Sequence, residues 1–349
     1  MARIDSLLIE MKKMGASDLH LSAEFPPIFR VSGDLVPLKM APLKHEMLES
    51  ILTEMMRPDQ AESLKSELEL DFAYALEEIA RFRANVFYDY RGIGAAFRII
   101  PTEIMTIEQM GLPPAVKRIA QMEKGLVLVT GATGSGKSTT LASMINDINE
   151  RREGHIITIE DPIEFVHPPK KCLITQREVH YDAKSFSSAL KAACREDPDV
   201  ILVGELRDLE TISLAMTAAE LGVLVFGTLH TNSAAKSIDR IIDAFPTDAQ
   251  PQVRTMLADS LKGVVAQQLI RKKDGKGRIA AIEIMIGNSA LGNLIREGKS
   301  SLIASVIQTG ASEGMISMDQ SLMALYQKGK IDRQEVIIRL TDRKLMEGM

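Results

Sequence analysis

The sequence predicts an α/β protein: a parallel sheet buried on both faces, preceded by a smaller mixed α+β block. Three observations carry this. Four short apolar runs, Leu126-Val-Leu-Val129, Ile156-Ile-Thr-Ile159, Val200-Ile-Leu-Val203 and Val223-Leu-Val-Phe-Gly-Thr228, are separated by helical stretches. Continuous apolar strands alternating with helices mark a parallel sheet covered on both sides. The first 100 residues instead mix alternating strands with amphipathic helices, and prolines at 101, 113 and 114 stand between the two patterns.

Within the first block, Ile4, Leu7, Leu8, Met11 and Met14 recur at helical spacing before Gly15, so residues 3–14 read as a helix with its stop. Asp18–Ser22 alternates as a strand. Ile28–Val31, Ser32-Gly33-Asp34 and Leu35-Val36 read as a β-hairpin. Residues 44–56 and 59–68 read as helices; 70–76 and 81–99 read as strands, with Arg91-Gly-Ile-Gly94 at a turn. Pro101 and Gly111-Leu-Pro-Pro114 bracket a connector. The expected organisation is therefore 1–100, a linker or hinge at 101–112, and 113–349. The last 60 residues read as helical.

A length of 349 residues suits two or three domains. The net charge of −5 gives no global footprint for nucleic acid, and the absence of Trp argues against base stacking. Cys172 and Cys194 form no CxxC pair, so neither a disulfide framework nor a thiolate zinc site is readable. Both read as buried thiols in a reducing cytosol. Met1–Met14 has no signal-peptide core, and no apolar run approaches the ~20 residues of a membrane span. The expectation is a soluble, intracellular protein with no transmembrane segment.

Gly131-Ala132-Thr133-Gly134-Ser135-Gly136-Lys137-Ser138 fits the eight-residue P-loop pattern, between an apolar strand and the helical stretch 138–150. Glycines let the backbone curl so that N–H groups face phosphate oxygens, and the following helix adds its positive end. Lys137 is placed to reach the β/γ phosphates and Ser138 to hold Mg²⁺; Thr139 is a further nucleotide-binding position. ATP and Mg²⁺ are the expected cofactors. Acids follow at other strand ends. Glu205 closes Asp199-Val-Ile-Leu-Val-Gly-Glu205, placed to orient or deprotonate an attacking water. Thr158-Ile-Glu-Asp-Pro-Ile-Glu164 supplies Glu160 and Glu164, with Glu160 acting through Mg²⁺ or water. His230, in Thr228-Leu-His-Thr-Asn232, reads as a γ-phosphate sensor or as a structural histidine. Arg81, Arg83 and Arg98 lie on strands of the first block. They read as a solvated face, or as arginines supplied across an interface.

Together these motifs resemble the PilT-like type IV pilus retraction ATPases of the secretion ATPase superfamily. The Walker A segment 131–138, the acidic box 158–164, the Walker B-like segment 197–208 and the histidine box 227–234 occur in order. Ala16-Ser-Asp-Leu-His-Leu21 and Arg81-Phe-Arg83 are similar as well. The resemblance implies a PAS-like N-terminal domain, a RecA-like ATPase domain and a homohexamer with nucleotide between subunits. It implies Glu205 as the catalytic glutamate, supported by Glu160, Glu164 and His230, with Arg81, Arg83 and Arg98 lining the site. It further implies a cytoplasmic protein, peripheral at the inner membrane. Its partners are then an inner-membrane pilus platform protein and a retraction ATPase paralogue, without nucleic acid. Two departures stand out. Ala290-Leu-Gly-Asn-Leu-Ile-Arg-Glu297 differs from the family's Ala-Ile-Arg-Asn-Leu-Ile-Arg-Glu at Leu291 and Gly292, and His180 stands where the family has glycine.

Assembly-type relatives carry extra N-terminal sequence and a four-cysteine zinc element after a segment like Val264–Ile270. Here that place is taken by Arg271-Lys-Lys-Asp-Gly-Lys-Gly-Arg278, a basic turn that reads as solvated, or as a contact for acidic lipid or a partner. Retraction is therefore the expected work. Extension or type II secretion, a nucleic-acid or DNA-transfer motor of the same superfamily, and a non-hydrolysing regulatory subunit are the alternatives.

Overall fold

A computed structural model of the chain describes residues 2–31, 33–76, 79–100, 103–275 and 277–342. The chain divides into two compact units, Met1–Glu103 and Ile104–Met349. Pro101 and Thr102, within the expected linker, lie outside the described residues. In the rest of that stretch Ile107 and Leu112 are buried in the second unit's core, while residues such as Met105 are exposed.

The first unit is a six-stranded antiparallel sheet with helices. Its strands are β1 (Asp18–Ser22), β2 (Ile28–Val31), β3 (Asp34–Pro37), β4 (Glu69–Leu76), β5 (Ala80–Asp89) and β6 (Gly92–Ile100), in the spatial order β3-β2-β1-β6-β5-β4. Alternation sets the faces. Phe82, Ala84 and Val86 of β5 point to a core shared with Leu19, Phe29 and Phe97. Helices α1 (Asp5–Lys13), α2 (His45–Thr53) and α3 (Pro58–Glu67) accompany it, and Leu8, Met11, Leu48, Leu52 and Leu64 close that core. Intervening positions form the opposite face, where register places Arg83 of β5 directly across from Arg98 of β6, and Arg98 across from Asp18 of β1.

The second unit is a seven-stranded sheet in the order β13-β12-β7-β11-β10-β8-β9. Its strands are β7 (Gly125–Thr130), β8 (Gly154–Glu160), β9 (Cys172–Glu178), β10 (Val200–Val203), β11 (Leu224–Leu229), β12 (Leu261–Arg271) and β13 (Arg278–Ile286). All neighbours are parallel except β12 and β13, which form an antiparallel hairpin. Leu126 and Leu128 point into one core while Val127 and Val129 point into another. Ile157 and Ile201 follow the first; Ile156 and Val200 follow the second. This is why the strands read as unbroken apolar runs: each face is covered, and a fully buried aliphatic side chain contributes about 1.5–3 kcal/mol.

Helices α4 (Pro114–Ala120) and α5 (Lys137–Arg151) cover one face through Val116, Ile119, Met144 and Ile145. Helices α6 (Phe186–Ala193), α7 (Leu209–Glu220), α8 (Ala234–Asp243) and α9 (Gln250–Ser260) cover the other through Leu190, Ile212, Ile238 and Leu257. After β13 come α10 (Ser289–Arg296), α11 (Ile303–Thr309), α12 (Met318–Gln327) and α13 (Arg333–Arg339). Among the described residues no helix is long and apolar enough to cross a membrane. One expectation is corrected. Cys172 is buried, but Cys194 is exposed, because it caps α6 at its open C-terminal end rather than on the core-facing side that buries Leu190 and Ala193.

Candidate active site

Four adjacent parallel strands, β7, β11, β10 and β8, end side by side, and the sequence-predicted residues of the second unit sit at those ends. The loop 131–136 leaves β7 and enters α5, whose first-turn N–H groups have no intrahelical acceptor and so face the loop. Glycine is required at two loop positions. At Gly131, φ is +149° and a Cβ would lie 2.4 Å from the Gln267 carbonyl oxygen; at Gly136, φ is +90° and a Cβ would lie 2.7 Å from Gln267 Nε2.

Gln267 escapes sequence reasoning, although it lies under the whole loop. It is buried in β12, its Nε2 donates to the Ser135 carbonyl at 2.8 Å, and its Oε1 accepts from Thr140 Oγ1 at 2.7 Å. The available signal is a glutamine inside the apolar run Val264–Ile270: a buried polar residue needs partners, and the loop supplies them.

Lys137 Nζ donates to the carbonyls of Gly131 (2.9 Å) and Ala132 (3.2 Å), so the ammonium lies over the mouth of the loop. Burial lowers its pKa below the ordinary lysine value, and the charges of Glu205 and Glu164 oppose that shift. Both acids are thus within electrostatic reach of the ammonium. The buried hydroxyls of Thr130 and Ser135 have no hydrogen-bond partner among the described residues. Curled glycines, an ammonium bonded to loop carbonyls and two hydroxyls without a partner among the described residues fit a bound polyphosphate.

Glu205 follows β10 and is pinned from both sides. Gly204 N donates to Ile159 O (2.7 Å), Leu206 N donates to Thr228 O (3.0 Å), and Thr228 Oγ1 donates to Gly204 O. Its carboxylate meets Arg207 Nη2 at 2.8 Å and His230 Nε2 at 3.4 Å. Burial opposes its ionisation, but Arg207 and His230 outweigh burial and hold its pKa below the ordinary glutamate value. It is therefore an ionised acceptor at neutral pH. Asp208 fixes the following turn by capping α7, accepting from Thr211 N and Thr211 Oγ1, each at 2.8 Å.

Glu160 behaves differently. It accepts from Thr158 Oγ1 (2.8 Å) and Gln176 Nε2 (3.2 Å), and burial pushes its pKa up to about 7. Gln176 is the second residue that sequence reasoning missed. Besides Glu160 it donates to Phe165 O and accepts from His167 N, each at 2.8 Å, which shapes the segment after β8. Glu164 is exposed on that segment. The second unit thus brings Lys137, Glu164, Glu205 and His230 together, with Glu160 beside them. The three arginines belong to the first unit. There, Arg98 Nε contacts Asp18 Oδ1 at 2.8 Å and Arg83 contacts Asp71 at 3.5 Å, while Arg81 lies two residues from Arg83 on the same face of β5.

A glycine loop closing β7 of a parallel sheet covered on both faces, with acids at the ends of β10 and β8 on the same edge of the sheet, defines a P-loop phosphate-binding protein. Comparison with known proteins narrows the class: the chain belongs to the type II/IV secretion system protein family, whose profile matches residues 2–349. It is 54% identical to the type IV pilus retraction ATPase PilT of Pseudomonas aeruginosa over 331 residues, which cover 95% of this chain and 96% of that one. It is 52% identical to a twitching motility protein of Neisseria gonorrhoeae, with 87% and 82% of the two chains covered. A solved structure of the pilus retraction motor PilT with bound ADP superposes with a TM-score of 0.93 at 45% identity, covering the whole of both chains.

Proposed function

We propose that the chain is an ATP-hydrolysing motor that powers type IV pilus retraction and twitching motility. The observation that carries this is an ionised acid, Glu205, anchored one strand over from β11 and facing the Lys137 loop, in a chain similar end to end to retraction ATPases. ATP is held by the N–H groups of the loop 131–136 and the first turn of α5. Lys137 exchanges its loop carbonyls for β/γ-phosphate oxygens, and Thr139 extends the cradle. Glu205 orients the attacking water and accepts its proton, with His230 holding the carboxylate and Glu164 adding charge at the mouth. Mg²⁺ would be held by Ser138 Oγ, with Glu160 through water, and would neutralise phosphate charge. Among the described residues no group of three or more His, Cys, Asp or Glu side chains forms a metal cage, which suits an ion held chiefly by the substrate.

In this reading six copies form a ring, and Arg81, Arg83 and Arg98 are the arginines that a neighbouring copy supplies to the phosphates. The chain works as a cytoplasmic protein, peripheral at the inner membrane, against a platform protein there and beside a retraction paralogue. Deletion in the source organism is expected to leave surface pili in place and abolish twitching. Complementation with Glu205→Gln, which should lower turnover about 10²–10⁴-fold while keeping ATP binding, is expected not to restore it. Loss of pili on deletion would point to extension instead, and near-normal turnover of the variant would remove Glu205 from its role.

A further inference from the structure

The second unit has a strongly cationic end that the ATPase reading does not use. The chain carries a net charge of −5, yet Arg271–Arg278 holds five Lys/Arg against one Asp, and Lys328–Arg333 holds three against one. The two segments are far apart in sequence, so their combination is invisible there. In the structure Lys273 N donates to Lys330 O at 2.9 Å, which fuses the β12–β13 turn with the α12–α13 connection. Ile270, Leu322, Ile331 and Val336 form a small core beneath that holds both on one base. Lys273, Lys328, Lys330 and Arg333 are exposed; Lys276 lies outside the described residues. Ile337, one helical turn beyond Arg333 and on the same side of α13, is 38% exposed, and Ile338 is 76% exposed.

We propose that this cationic end is a docking surface for an anionic lipid bilayer. Cations of one sign held together by a fixed backbone contact repel one another, and an anionic counter-surface relieves that repulsion. The side chains suit headgroups rather than a shaped partner. Most are lysines, flexible point charges on long stems, and neither segment contains the aromatic anchor typical of protein hot spots. Exposed isoleucines beside the cations add the shallow apolar contact that an interfacial helix makes with acyl chains. Because the remainder of the chain is net acidic, an anionic bilayer attracts this end and repels the rest, which fixes orientation.

The test is flotation of the full chain, without nucleotide, with vesicles of phosphatidylcholine alone or with one third phosphatidylglycerol. The expected result is binding only to the anionic vesicles, weakened by salt. In Lys272→Glu/Lys273→Glu/Lys330→Glu the affinity should fall about 100-fold or more, with basal ATP turnover unchanged. Ile338→Ser, which leaves every charge in place, should weaken binding less. Equal binding to neutral vesicles, or undiminished binding by the triple variant, would overturn the proposal. So would polyglutamate displacing the protein from vesicles at equal charge, which would assign the surface to an acidic protein segment. Vesicle binding is read without hydrolysis or pili, so its failure leaves the retraction reading untouched.

Discussion

Gln267 shows at the scale of one residue how the site is built. Its side chain joins Thr140 on α5 to the Ser135 carbonyl of the loop, and both bonds are buried. Gln267→Leu keeps the volume and strands a hydroxyl and a carbonyl. The expected loss is about 1–3 kcal/mol for each group left unsatisfied, measured by urea denaturation. The KM for ATP should rise while the acid Glu205 remains in place. Unchanged stability and KM would show that the loop holds its shape without the glutamine. Glycines, lysine and strand-end acids were legible in the sequence because their chemistry is tied to spacing. Gln267 and Gln176 were not, since a glutamine's partners are chosen by tertiary contact and leave no spacing signature.

At the scale of elements, the segment between β8 and β9 gives a pH prediction. His167 is buried there, and burial, followed by the Lys170 charge, pushes its pKa down to about 4 from an ordinary 6.5. Between those values the unfolded chain takes up a proton that the folded chain refuses. This contribution to stability is therefore fully present above pH 6.5 and is lost as pH falls toward 4. The loss is on the order of 3 kcal/mol. Denaturation across that range should be flatter for His167→Gln than for the parent; parallel curves would show that the imidazole is not responsible.

His180, after β9, adopts φ +68°, a conformation that favours glycine. The departure noted in the sequence is thus a local cost. His180→Gly is expected to be neutral or stabilising by up to about 1 kcal/mol, and His180→Val destabilising by more than that. A large loss with glycine would mean that the imidazole makes an indispensable contact. The central strands were legible because burial on both faces removes alternation. Edge strand β9, with only its ends buried, lacks such a run and gave no such signal.

At the scale of the whole molecule, the expected division near residue 100 and the observed units ending at Glu103 rest on different evidence: prolines in one case, packing in the other. A proline pair marks where a helix can start, as α4 does at Pro114, but not which core its neighbours join. Ring formation is a property of copies and surfaces, so one chain's residue pattern is silent on it. Light scattering is expected to give a hexamer with ATP and Glu205→Gln, where the nucleotide persists. A monomer under those conditions would leave the arginines of the first unit without a neighbour to serve.

The hairpin strand β12 joins the floor of the phosphate loop to the cationic turn. Gln267, which grips the phosphate loop, and Arg271, where the cationic turn begins, are four residues apart on one extended strand, about 13 Å along a rigid rod. Over that stretch β12 is paired with β13, from Gln267 opposite Ile282 to Arg271 opposite Arg278, while its pairing with β7 ends at Ala266. If the cationic turn docks as proposed, a force on it would reach the floor of the phosphate loop through four residues of one strand, which makes the strand a strain gauge between the two sites.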